Sequence, residues 1–247
     1  MPAARPIREI ALVYGAVAAA TFGITRLRSG ALADYVHLMV GTLFLVVAMR
    51  LAQREPDGMR RYGIDLAGLM TPPEDGADRG PLGIRDLLRA TRAALPSAAR
   101  ELGVALGLCG LIFPPFAVGF RFWHGSAQPF TLQLPDEPLS FALAQVLVVA
   151  LPEEALFRGY FQTRLGDAFP RKVRVLGVEV CPVALVTQAA LFALVHFVVD
   201  FSPERLAVFF PGLLFGWLRS WRSGVGAAIA MHALSNVFSD LLVRGWL

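Results

Sequence analysis

Long stretches of this chain carry no charge, and the charged residues gather in short clusters between them. That segregation constrains the fold more than any other feature. A water-soluble surface needs charge along every element, whereas a segment crossing hydrocarbon must satisfy its own backbone and show apolar side chains outward. The composition agrees: 55% of residues are hydrophobic and only 17% charged, against about a quarter charged in an average soluble domain. This argues against a soluble enzyme, a disordered chain or a nucleic-acid binder. The net charge of +4 fits the arginine-rich cytoplasmic loops of a polytopic membrane protein, so no nucleic-acid partner is expected. Cys109 and Cys181 have no CxxC or finger spacing and define no disulfide framework.

A tilted helix needs roughly 20 residues to cross a bilayer. Seven runs are candidates, with soft edges: 9–25, 32–50, 98–120, 139–157, 183–199, 205–219 and 224–242. The sixth is short and interrupted by Pro211, Gly212 and Gly216, so a kinked or incomplete span is expected there. The runs are continuous rather than alternating, unlike barrel strands. The expected fold is all-α: a polytopic membrane helical bundle of about seven to eight transmembrane helices, forming a single membrane-embedded domain over 1–247. The start, with Arg5 and Arg8 ahead of Ile10 to Ile24, has the shape of a signal peptide. It lacks a small-x-small cleavage pattern, so an uncleaved first span is expected.

The one long connector, 51–97, mixes Arg with acids, contains Pro72-Pro73 and then becomes amphipathic. Leu87, Leu88, Thr91, Leu95 and Ala98 recur at helical spacing with Arg85, Arg89 and Arg92 between them, the pattern of an interfacial helix before span three. Basic excess at Arg164, Arg171, Lys172 and Arg174, and again at Arg219 and Arg222, assigns those loops to the cytoplasm. Asp136 and Glu137 against Arg121, and Asp200 and Glu204 against Arg205, fit the outer side. A cytoplasmic N-terminus in a bacterial inner membrane is expected; the first turn, where Arg26 and Arg28 outnumber Asp34, is the exception.

An ionisable side chain at mid-membrane costs about 2.5–3.5 kcal/mol on insertion scales, so such residues are kept mainly with a partner or a task. Pro152-Glu153-Glu154 is followed by Arg158 at the end of span four. Glu154 and Arg158 are four apart and share a face, so they can pair. Glu153 points about 100° away and is left as a candidate proton acceptor facing the bundle interior. The same acids could merely decorate the first turn of a helix opened by Pro152. Phe192 and His196 lie in one apolar run, and His232 and Asn236 share a face of the last; each polar group could also be helix–helix glue. His37, His124, Gln145, Gln188 and Asp240 read as structural or interfacial. Together, one carboxylate, two imidazoles and an amide make a plausible hydrolytic set. Carboxylate and histidine hold and deprotonate a water, and a second histidine and an amide N–H receive the oxyanion.

Glu153-Glu154-x-x-x-Arg158, Phe192-x-x-x-His196 and His232-x-x-x-Asn236 resemble, in order and spacing, the three motifs of the CPBP family. That family holds the CAAX prenyl endopeptidases and bacteriocin-processing intramembrane proteases, and the resemblance covers roughly 139–242. It implies that Glu153 is the catalytic glutamate acting with His196, and that His232 and Asn236 stabilise the oxyanion. Glu154 and Arg158 would brace the site, and Phe192 would pack. It also implies a bundle of mostly eight helices with a cytoplasm-facing cavity. The substrate would be a membrane-associated protein or peptide, such as the C-terminal sorting tails of the myxosortase branch. No cofactor is expected. One alternative is a zinc metalloprotease with Glu153, His196 and His232 as ligands, although no HExxH is present. Another is a non-enzymatic transporter or scaffold, although no inverted repeat is visible.

Overall fold

A computed structural model describes residues 4–27, 30–69 and 84–247; Arg28 and the Pro72-Pro73 stretch lie outside the described residues. Eight helices follow in order: α1 Ala4–Thr25, α2 Val36–Ala52, the single turn α3 Gly58–Arg61, α4 Ile84–Trp123, α5 Pro138–Ala168, α6 Pro182–Asp200, α7 Phe209–Arg222 and α8 Gly226–Trp246. A two-stranded antiparallel hairpin, β1 Val173–Val175 with β2 Val178–Val180, joins α5 to α6. Among the described residues six helices are long and apolar enough to cross a membrane, so the chain is an all-α integral membrane bundle.

One expectation about the spans holds and one changes. The run 205–219 is a 3-10 turn, Pro203–Val208, followed by the 14-residue α7, because Glu204 and Arg205 hold the entry at the surface. Pro211 falls in the first turn of α7, where a missing N–H costs nothing. The expected interfacial helix and span three are instead one 40-residue helix, α4. At 1.5 Å per residue it is about 60 Å long, twice the hydrocarbon thickness, so its arginine-bearing start projects beyond the membrane.

The central rod is α5, whose regular turns alternate with π-helical stretches at 145–150 and 155–161. Wider π turns inside an α-helix mark places where the ladder is interrupted, often at functional sites, and Pro152 supplies such an interruption by lacking an N–H for the carbonyl four residues back. That carbonyl, on Val148, abuts Gly41 of α2, where a Cβ would collide with it. Gly41→Val is therefore expected to destabilise the protein by about 1–3 kcal/mol. Thermal unfolding in detergent measures this, with Gly15→Val as control, since Gly15 has open space around it.

One end of the bundle is laced with arginine pairs. Arg164 reaches Glu9 at 2.6 Å and Glu55 at 3.4 Å, Arg61 reaches Glu55 and Asp167, and Arg222 reaches Glu101 at 2.8 Å. Burial and a hydrogen bond to Glu55 push the Tyr62 phenol well above its usual range, so it stays a donor. The Arg219 guanidinium lies over Gly63, where a Cβ would collide with it and where the φ of +69° also favours glycine, and Val225 N–H donates to the Gly63 carbonyl at 2.9 Å. Trp217 ties α7 to the hairpin through the Val175 carbonyl at 3.1 Å. At the opposite end Arg205 pairs with Asp200 and Arg244 with Asp240, and Thr131 N–H donates to the Gly245 carbonyl. The chain thus runs back along α7 from the Asp200 end to the Gly63 end.

Candidate active site

Three helices deliver the polar residues: α5 carries Glu153, Glu154 and Arg158, α6 carries Phe192 and His196, and α8 carries His232 and Asn236. Adjacent residues on a helix point about 100° apart, so the two glutamates serve different neighbours. Glu154 is wholly buried, and its Oε1 accepts from Arg158 Nη1 and lies 2.8 Å from His232 Nδ1. Arg158 is also 0% exposed. Its guanidinium sits over the Phe192 ring at 4.2 Å and the Phe215 ring at 5.1 Å, and Nη2 donates to the Gly212 carbonyl of α7 at 3.4 Å. Gln188 donates to the same carbonyl at 3.0 Å, which bears out its structural reading.

Glu153 turns the other way. Its Oε2 is buried without a hydrogen-bond partner, 3.8 Å from His196 Nε2 and 3.7 Å from His232 Nε2. The far nitrogen of each ring is tied down. His196 Nδ1 lies 2.8 Å from the Phe192 carbonyl, which can only accept, so Nδ1 carries the hydrogen and a neutral ring turns the Nε2 lone pair toward Glu153. Glu154 holds His232 Nδ1 in the same manner. Phe215 stacks on His232 at 4.9 Å, and Phe192 stands edge-on to both imidazoles. Packing fixes the ring planes, and hydrogen bonds fix their rotation.

The structure brings Glu153, Glu154, Arg158, Phe192, His196 and His232 into one contiguous cluster. Asn236, one turn beyond His232, is placed through a residue read from sequence as structural: its Nδ2 donates to Gln145 Oε1 at 2.9 Å. Gln145 lies on α5 eight residues before Glu153, and both open onto the same cavity. A polar side chain on the glutamate's own helix was the available signal. Phe215 was missed as part of an apolar run. His37 also lines the cavity, whereas His124 packs on Phe120 and Asp240 pairs with Arg244, apart from the cluster.

The cavity has a volume of about 1280 Å³, with Glu153, His196, His232 and Asn236 among its lining residues. Its other walls are mostly apolar, including Phe113, Phe116, Phe210 and Phe238. That volume exceeds the roughly 300–1,000 Å³ of small-molecule pockets and suits a polypeptide segment.

Residues 135–238 match the family model "Type II CAAX prenyl endopeptidase Rce1-like". The match spans every residue of the cluster. No curated protein and no solved structure matches the chain.

Proposed function

From a chain whose residues 135–238 match an Rce1-like CAAX endopeptidase family model, we propose a glutamate-dependent intramembrane endopeptidase that hydrolyses a membrane-anchored polypeptide with water activated by Glu153. The carrying observation is the unpartnered Oε2 of Glu153 between two imidazole nitrogens at 3.7 and 3.8 Å. Those gaps are too long for direct hydrogen bonds and short enough for one shared water, about 2.8 Å from each group.

The water donates to Glu153 Oε2 and to the His196 Nε2 lone pair, leaving an oxygen lone pair free to attack the scissile carbonyl. As the C–O bond forms, the water's proton passes to Glu153 and the carbonyl becomes an oxyanion. His232, whose Nδ1 is held by Glu154, turns Nε2 toward that oxyanion and donates to it when that nitrogen carries a proton. Asn236 has two N–H bonds and gives one to Gln145, so the other is directed to the same oxygen. Collapse of the tetrahedral intermediate breaks the C–N bond, and the proton on Glu153 leaves with the amine. Asn236→Ala is expected to lower the cleavage rate about 10²–10³-fold, the usual cost of an oxyanion donor. Gln145→Leu is expected to lower it about tenfold, because it frees the Asn236 amide to rotate rather than removing it. Comparing membrane fractions with and without the protein identifies the cleaved polypeptide; its cleavage rate in reconstituted vesicles then tests both variants.

The zinc reading has a donor set of the right kind, two Nε2 lone pairs and a carboxylate. Spacings of 3.7–3.8 Å exceed the edge of about 3.3 Å that a tetrahedron with 2.0–2.1 Å bonds requires. Among the described residues no group of three or more His, Cys, Asp or Glu side chains is gathered closely enough to hold a metal ion. Cleavage is expected to survive exhaustive chelation; loss on chelation with recovery on added zinc would replace this mechanism.

A further inference from the structure

The cavity belongs to one half of the bundle. Its walls come from the last turns of α1, the first half of α2, the second half of α4, the first half of α5, the end of α6, the start of α7 and the second half of α8. At its rim lie Thr25, His37, Asp200, Arg205 and Ser239, all at the end opposite the arginine network. Toward the network the site is sealed: Leu156, Phe157, Phe161 and Leu218 are 0% exposed, with the salt-bridged ends of α1, α3, α5 and α7 beyond them. A substrate reaching Glu153 therefore enters from the Asp200 end.

Charge identifies that end. Arg60, Arg61, Arg171, Lys172, Arg174 and Arg222 mark the sealed end, whereas at the open one Asp136, Glu137, Asp200, Glu204 and Asp240 outnumber Arg121, Arg205 and Arg244. Arginine-rich short loops stay in the cytoplasm. Arg26, also near the open end, is held over the rings of Phe22 at 4.5 Å and Phe201 at 5.6 Å, so it has a packing role there.

We infer that the cavity opens on the extracytoplasmic face, opposite to the cytoplasm-facing cavity expected from the resemblance. Its substrate is a polypeptide anchored by an apolar segment whose scissile bond is presented from the extracytoplasmic leaflet. The substrate half rests on the endopeptidase reading; the orientation half does not.

Cysteine labelling tests it on the full chain. Single cysteines are placed in a Cys109→Ala, Cys181→Ser background, the serine preserving the α6 cap that Cys181 makes to Ala184 N–H. Leu206→Cys reports the exposed 3-10 turn beside the cavity, Ser239→Cys the cavity itself and Arg174→Cys the hairpin. In spheroplasts a membrane-impermeant maleimide is expected to label Leu206→Cys and Ser239→Cys at least tenfold more than Arg174→Cys, with the order reversed in inverted vesicles. A permeant maleimide labelling all three verifies insertion. Labelling of Arg174→Cys in spheroplasts, or of Ser239→Cys from the hairpin side or from neither side, overturns the inference. Full cleavage by a Glu153→Gln variant would overturn the glutamate-dependent reading instead, and absence of any cleaved polypeptide would overturn the endopeptidase reading; both leave the labelling pattern untouched.

Discussion

Glu153→Gln is expected to lower peptide cleavage by about 10³-fold or more with little change in stability. A positioned general base contributes roughly 10²–10⁴-fold, and in the proposed mechanism the same group also holds the water. Gln has nearly the same volume and cannot accept the water's proton. Because Oε2 has no protein partner, its replacement breaks no internal bond, so unfolding in detergent should shift by no more than about 0.5 kcal/mol. Cleavage rate and thermal unfolding measured on the same preparation separate the two effects. Full activity in this variant would remove Glu153 from the chemistry.

Arg158→Met is expected to do the reverse, costing about 3–5 kcal/mol of stability before any question of catalysis arises. Arg158 and Glu154 are both 0% exposed and paired at 2.8 Å, and removing one partner of a buried pair strands the other charge without solvent. The methionine stem fills the slot between Phe192 and Phe215 but donates nothing to Glu154 or to the Gly212 carbonyl. Adding Glu154→Gln removes the stranded charge, so the double variant should recover part of the loss, with a coupling of about 0.5–3 kcal/mol between the two positions. Additive losses would show that the pair contributes packing alone. The arrangement explains why the motif has two acids: Glu154 anchors Arg158 and orients His232, and Glu153 is thereby left to the cavity.

Much of the molecule was legible in sequence because lipid imposes long periods. Six of the seven apolar runs became helices long enough to span, and i,i+4 spacing correctly joined Glu154 to Arg158. The remaining one, 205–219, shortened because its first residues form a 3-10 turn opened by Pro203, and α4 absorbed its amphipathic approach because the helix continues through Pro96 into the apolar run. Gln145 read as structural or interfacial in sequence because its contact with Asn236 lies 91 residues away. Glu154 Oε1 likewise meets His232 Nδ1 across 78 residues, a pairing that no local pattern encodes.

By itself the sequence determined the solvent, the class of fold, the charge asymmetry between the two ends and which few polar residues had to be accounted for inside the bundle. These follow from one-dimensional quantities: run length, periodicity and the cost of a charge in hydrocarbon. Only the tertiary structure decided how those residues divide the work, which end of the bundle stays open and that Gln145 and Phe215 belong to the site. Those depend on which faces of α5, α6, α7 and α8 meet. That is settled by close approaches such as Gly41 on Val148 and by buried bonds between residues far apart in the chain.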